Sequence, residues 1–501
     1  MKRVILFSLL LIAVAFALPA GGQQEAEEKM VIRVAEQVPN LLTIGSWDGQ
    51  AFSLNGSIYD YLVEIDAHTG ELVPSMATGW NSPDGVVWTF TLREGITFHD
   101  GSDFTAEDVV YTIERTQDET LGHVKAEDFK IVESITAVDD YTVNITLKEP
   151  NPTFVYLLTD YNMAMLSSGY DYASKGETHP MGSGPFKLEK LIPKESAVLT
   201  ANENYWNEGY PLADELHIYF VPDIDASVSL LEAGEVDIVT QINPTLKKRL
   251  ESQDGFKVVA PYQESRIVAM RTDQEPFDDN RVRLALKYTM DPEILALAAR
   301  GNIGESVFYN ENPLVDSLAQ HKDIPFRGRD IAKAKDLLSQ AGYPNGLTVD
   351  LFYPSDHPYS PELAQTIKEL AAPAGFDIKL NGSPRDIYLS QYWLNGTIQL
   401  TGWGVRVDPS MLLNQAYHSE GPWNESHLNN PEIDRLIEAI RSEVDDQQRL
   451  EYYAQLQDVF FEEGPILNIQ VPYLVGLNAD LSDYRQPVTM LPQLEYASIE
   501  R

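Results

Sequence analysis

A chain of 501 residues without a single cysteine has to hold its fold by packing alone. Disulfides, thiolate zinc sites, iron-sulfur clusters and cysteine nucleophiles are removed in one step. Lipid attachment at an N-terminal cysteine goes with them. The chain begins Met1-Lys2-Arg3, and residues 4–17 are apolar apart from Ser8, ahead of Leu18-Pro19-Ala20-Gly21-Gly22. A short basic start, an apolar stretch of this length and small residues after it predict a cleavable secretory signal peptide over residues 1–22. A membrane span needs about 20 apolar residues, and no later stretch supplies them. The expected product is a chain free outside the cytoplasm, in a periplasm, with no lipid anchor.

Charge narrows the partners. With 37 Lys+Arg against 76 Asp+Glu the formal charge is −39, whereas a nucleic-acid binder needs a basic footprint to neutralise phosphates. The chain is 43% hydrophobic and 10% aromatic, enough for a packed core rather than a disordered acidic tail. At roughly 150 residues per domain, three domains or one large interleaved unit are expected.

The pattern along the chain alternates strands with helices. Val31-Ile32-Arg33-Val34 is β-branched and reads as a strand, followed by a loop to Gln50. Val87-Trp88-Thr89-Phe90-Thr91-Leu92 alternates large apolar residues with Thr, the period of a half-buried strand. Thr105-Ala106-Glu107-Asp108 has capping-box spacing ahead of a Val109, Val110, Ile113 stripe, which predicts an amphipathic helix. Residues 134–147 read as two strands around Asp139-Asp140, so residues 51–180 form one mixed module. Strand, helix, strand follows over 216–221, 226–233 and 236–239, and again over 348–353, 362–370 and 377–380. Each is a right-handed parallel unit. Helices over 331–340, 431–442 and 446–461 and a last strand over 466–471 complete an α/β chain with two lobes.

A search for catalytic chemistry finds little. The chain has no Gly-Lys dipeptide, hence no phosphate-cradling P-loop, and neither a His-Glu-x-x-His nor a Gly-x-Ser-x-Gly motif. Adjacent carboxylates such as Asp139/Asp140 and Asp278/Asp279 suit turn and N-cap roles. His418 and His427 stand nine apart, which is no metal-ligand spacing. No catalytic residue, cofactor or metal site is assigned.

The informative residues are aromatic. Trp393, Trp403 and Trp423 flank the stretch Gly402-Trp403-Gly404-Val405-Arg406-Val407-Asp408-Pro409, which follows a strand-like run. Open α/β sheets bind ligands just beyond the C-terminal ends of their strands. Ser355-Asp356-His357-Pro358-Tyr359 follows another such run, hence belongs to the same rim. Stacking rings with one cation and one carboxylate suit a small polar solute. The alternative for the tryptophans is a place in the core, with Arg406 paired to Asp408.

Trp88-Thr89-Phe90-Thr91-Leu92-Arg93-Glu94-Gly95-Ile96-Thr97-Phe98-His99-Asp100-Gly101, with Phe104-Thr105-Ala106-Glu107-Asp108-Val109, resembles the defining motif of the oligopeptide/dipeptide/nickel-binding family (family 5) of ABC-transporter solute-binding proteins. The likeness runs on through Gly182-Ser183-Gly184-Pro185-Phe186, Asn204-Tyr205-Trp206, Leu230-Leu231-Glu232-Ala233-Gly234-Glu235 and Pro276-Phe277-Asp278-Asp279. It implies a type II periplasmic-binding-protein fold: two α/β lobes joined by hinge strands, plus an inserted α+β domain. Mapped here, lobe I is 30–50 with 183–271 and 472–501, the insert is 51–182, and lobe II is 272–471. Chain crossings near 270–274 and Val471 are the expected hinges.

The resemblance also implies the function: an extracytoplasmic receptor, not an enzyme, which encloses a small polar solute and delivers it to an ABC permease and ATPase. The receptor is expected to be a monomer with no membrane insertion of its own. Peptide-binding relatives carry an aspartate three positions after the equivalent of Trp403, to pair with a peptide's amino terminus. Here that position is Arg406, which cannot pair with an ammonium. The expected solute therefore presents a carboxylate, phosphate or hydroxyl-rich face, with Asp408 as partial replacement for the missing carboxylate. The candidate ligand contacts are Trp403, Arg406, Asp408, Ser355, His357, Trp47 in the loop after the first strand, Arg271 at the hinge, and Trp423. Residues 423–427 order or brace the loop over the cleft. His418 lies near where nickel-binding members place a histidine, which leaves a nickel or metal-chelate receptor, and a secreted hydrolase, as the alternative readings.

Overall fold

Val31–Glu36 forms the strand that its β-branched residues spell, and it becomes the middle of a seven-stranded sheet. The computed structural model describes residues 29–39, 44–45, 51–300, 309–314, 327–404 and 408–500. The signal-peptide segment, Trp47 and Arg406 lie outside the described residues. Glu215–Phe220 and Ile238–Ile242 flank the central strand, both parallel to it. Helix Ile224–Glu232 links them, so this parallel unit straddles a third strand rather than pairing its own two. The pair Phe186–Ile192 and Ser196–Ala201 extends one side, and Phe256–Val259 with Leu474–Asn478 the other.

A second sheet of six strands is built around Gln263–Met270, which lies antiparallel between Ile398–Trp403 and Ile466–Pro472. Leu347–Pro354 and Phe376–Ser383 pair in parallel at its far edge. Helix Ser360–Ala371 links them, as the sequence pattern predicts. A four-stranded antiparallel sheet, Ala77–Asn81, Val87–Leu92, Thr142–Leu147 and Val132–Asp139, belongs to the module between the first sheet's strands. Its helix Ala106–Gln117 starts with the expected capping box between Thr105 and Asp108. Among the described residues no helix is long and apolar enough to cross a membrane.

The chain passes from the first sheet to the second between Val259 and Gln263, and returns between Pro472 and Leu474. The first crossing therefore precedes the expected residues 270–274: Gln263–Met270 is hydrogen-bonded into the second sheet along its whole length. The two crossings lie side by side. Tyr473 N donates to Tyr262 O at 3.0 Å, and the two rings stack at 4.7 Å and 18°.

Two motifs of the sequence meet where the four-stranded module joins the first sheet. Gly184 N donates to Ile58 O at 2.9 Å, at the end of helix Phe52–Ile58. A Cβ on Gly182 would lie 2.2 Å from Ile58 O, and one on Gly184 2.6 Å from Ile58 C. His99, from the long aromatic motif, donates its amide to Gly182 O at 2.8 Å, and its Nε2 lies 3.0 Å from Gly184 O. Only glycine permits this backbone approach. Gly184→Ala is expected to cost about 1–3 kcal/mol by overpacking, measured by denaturant unfolding. Gly79→Ala, where nothing lies within 4 Å of the added carbon, is expected to stay within about 0.5 kcal/mol.

Candidate functional site

Ile398–Trp403 and Leu347–Pro354 run parallel in the second sheet, so their C-terminal ends share one rim. Trp403 and the Ser355-to-Tyr359 loop therefore stand on the same side, as the sequence predicts. Trp403 packs 5.3 Å from Trp423 with the rings tilted by 36°. Both belong to an apolar cluster with Leu412, Leu413 and Phe460, and only 7% and 9% of their surfaces remain exposed.

Trp393 and Trp403 converge on Glu425, which the sequence reading included in the 423–427 loop without giving it a role of its own. Glu425 accepts a hydrogen bond from Trp393 Nε1 at 2.6 Å and others from the side chains of Thr401 and Trp403. It is buried, and desolvation pushes its carboxyl up to about 8. Its loop is braced from within: Asn424 Oδ1 accepts Leu428 N at 2.9 Å and Ser426 Oγ at 3.2 Å, and its Nδ2 donates to Leu428 O. Gln399 Nε2 holds the Glu425 carbonyl at 3.1 Å.

Two candidates are engaged in local structure. Asp408 is buried, and its Oδ1 accepts Ser410 N at 2.9 Å, Ser410 Oγ at 2.5 Å and Tyr453 Oη at 3.3 Å. It sets the first turn of helix Ser410–Ala416, and burial raises its carboxyl above the usual range. Arg271 forks onto Asp273 at 2.8 and 2.7 Å and donates to Leu394 O at 3.1 Å. His427 Nδ1 closes on the same Asp273 at 3.2 Å. His418 faces Glu438 at 3.6 Å and Asp434 at 4.0 Å.

His357 sits in a tighter group. A Cβ on Gly402 would lie 3.0 Å from His357 Cε1 and 3.1 Å from Arg266 Nη1, so the missing side chain makes room for both. Burial and the nearby Arg266 and Arg385 cations hold the His357 imidazole well below its usual range. Arg266, fully buried, donates to Glu264 at 2.9 Å and lies over the Tyr359 ring. Ser355 is exposed at the rim, its amide bonded to Ser383 O. A cation immediately before the apolar run Ile267-Val268-Ala269-Met270 was the signal for this group, because a buried guanidinium requires a partner.

The first sheet contributes Glu36, at the end of its central strand. Ser53 N, at the start of helix Phe52–Ile58, donates to its carboxylate at 3.2 Å. Burial pushes Glu36 up to about 8. Burial raises the Tyr473 hydroxyl at the crossing, and Glu264 of the second sheet and Glu36 of the first add to the shift.

Comparison with known proteins identifies this architecture. Residues 71–424 match the profile of the bacterial extracellular solute-binding proteins, family 5. The chain belongs to that family. It is 30% identical over 465 residues to heme-binding protein A of Haemophilus influenzae, covering 84% of this chain and 82% of that one. It is 26% identical to the glutathione-binding protein GsiB of Escherichia coli, over 94% of each chain. The periplasmic binding protein DppA of Helicobacter pylori, solved with the peptide STSA, superposes with a TM-score of 0.81 at 25% identity, over 94% of this chain and 99% of that one.

A carboxyl whose pKa stands higher in the folded than in the unfolded chain weakens the fold as pH rises between the two values. For Glu425 that window runs from 4.5 to about 8. Glu425→Gln keeps an acceptor for Trp393 and removes the ionisation. Calorimetry is expected to show a Tm gain of roughly 2–5 °C at pH 8 and almost none at pH 4.5.

Proposed function

We propose that the protein is the periplasmic receptor of an ABC importer, exported by its N-terminal signal peptide, which carries a small polar solute to the permease and its ATPase. Lobe I (30–50, 183–271 and 472–501, less the strand Gln263–Met270, which the second sheet holds) and lobe II (272–471) enclose the solute, with the insert (51–182) beside them. The protein works as a monomer and catalyses no reaction. The observation that carries this reading is the paired crossing at Tyr262 and Tyr473, which joins two sheets by two adjacent strands and leaves them one line about which to close.

The solute class follows from the rim. Arg406 lies in the chain between Trp403 and Asp408, and Asp408 is already held by Ser410 and Tyr453. A carboxylate-bearing or peptide-like solute meets Arg406 as its cation, near Ser355 and His357. Trp403 and Trp423 form the wall, Trp47 adds a further aromatic contact, and Arg271, paired with Asp273 beyond the crossing, braces the second lobe. The family relatives named for glutathione, heme and peptide binding support an organic solute with carboxylates.

Native mass spectrometry of gently purified protein is expected to show a discrete added mass that denaturation releases. Glutathione, heme and the peptide Ser-Thr-Ser-Ala serve as probes in thermal-shift assays, where a ligand at 100 times its Kd adds about 2.7 kcal/mol. Arg406→Ala is expected to lower the affinity for a carboxylate-bearing probe at least tenfold. Unchanged affinity would exclude Arg406 from the site.

A further inference from the structure

The inserted module does more than sit beside the first sheet, because it also grips the second. Thr153 Oγ1 lies 3.2 Å from Ser410 Oγ. Gln415 Nε2 donates to both carboxylate oxygens of Asp128, at 3.1 and 3.0 Å. Thr153, Ser410 and Gln415 are all at least nine-tenths buried, so the Thr153–Ser410 contact is shielded from water, while half-buried Asp128 meets Gln415 at the edge of the interface. Met411, between them, packs against the apolar cluster shared by the module and the first sheet. Beside the contact lies a cavity of about 370 Å³, with Lys148 and Arg441 among its walls.

Ser410 and Gln415 also hold part of the rim. Ser410 donates its amide and hydroxyl to Asp408. The Gln415 carbonyl accepts Trp423 N at 3.0 Å, and Trp423 packs against Trp403. On the module's side, Asn151 Oδ1 accepts the Thr153 amide at 2.9 Å and lies 2.9 Å from its hydroxyl; because Ser410 donates its own hydroxyl proton to Asp408, the single Thr153 hydroxyl proton is shared between Asn151 Oδ1 and Ser410 Oγ. Lys125 anchors Asp128 at 3.3 Å.

We propose that the insert is a clasp for the second lobe, in which Thr153 and Asp128 act as positioning residues that hold Ser410 and Gln415, and through them Asp408 and Trp423. The proposal rests on the receptor reading for its purpose, but its test needs no solute. Helix Ser410–Ala416 is short, so its own hydrogen bonds give little order without an outside hold. The clasp supplies that hold from a different domain and sets the rim only when the lobes are together.

The absence of cysteine makes a direct experiment possible. In the full chain, T153C/S410C places the only two thiols on facing sides of the clasp. Mild oxidation is expected to link them at least ten times faster than the control pair V138C/S410C, Val138 being exposed on an outer strand of the same module. Equal rates would overturn the clasp. Hydrogen exchange gives a second, independent readout. Thr153→Ala is expected to speed exchange of the 410–416 amides at least tenfold while leaving those of 87–92 and 142–147 unchanged, and Thr153→Ser is expected to restore the wild-type rate. No change at 410–416, or an equal change within the insert's own strands, would assign Thr153 a role internal to the insert and refute the proposal. Failure to detect any solute would count against the receptor reading alone.

Discussion

Asp60 is the interaction on which the arrangement of the three sheets depends. Its two oxygens receive Ser183 Oγ at 2.9 Å, Tyr205 Oη at 3.1 Å and Trp206 Nε1 at 3.2 Å. It is buried, and desolvation lifts it to about 7. Ser183 belongs to the Gly-Ser-Gly-Pro-Phe stretch and Tyr205-Trp206 to the Asn-Tyr-Trp stretch, while His99 docks on the glycines beside Ser183. Removing the carboxyl would leave three donors, Ser183 buried and Tyr205 and Trp206 half-buried, without their acceptor, which costs more than the bonds contribute when made. The stretches that carried the family resemblance are therefore joint-building residues. They fix the insert on the first sheet, and from that position the insert reaches the second.

This division explains what the sequence disclosed and what it withheld. Strand and helix periods gave the alternation of elements because one face of each is buried, as in Val87–Leu92 and Ala106–Gln117. The first crossing was misplaced because Gln263–Met270 contains Glu264 and Arg266, whose charges mask a buried strand until their mutual pairing is seen. At the rim the sequence found the right rings and the wrong company. Trp393, Trp403 and Trp423 were legible as a group, but Glu425, the acceptor of the first two, looked like any of the 76 acidic residues. Asp408 and Arg271 stood out by position, and their bonds to Ser410 and Asp273 are local contacts that spacing alone does not reveal.

Burial also changes the meaning of the charge count. The formal −39 treats every carboxyl as ionised. Glu36, Asp60 and Glu425 have values near 8, 7 and 8, so each carries a proton for much of the time at neutral pH. The anionic field comes from the exposed acids, and the interior of the joint, hinge and rim is closer to neutral than the composition suggests. Protonated carboxyls act there as hydrogen-bonding groups.

The paired crossing limits motion as well as connecting sheets. One strand between two bodies allows them to swing, twist and slide; two strands bonded to each other at Tyr262 and Tyr473 act like the two leaves of a door hinge. Rotation about the line of the crossing remains easy, while sliding would have to break the stack and the bond together. The lobes then move with essentially one coordinate, so the space between them varies as a wedge does: widest at the rim, nearly constant at the tyrosines. A bulky solute is accommodated by stopping the swing early, and a compact one by letting it run on, with the same residues at the apex in both cases.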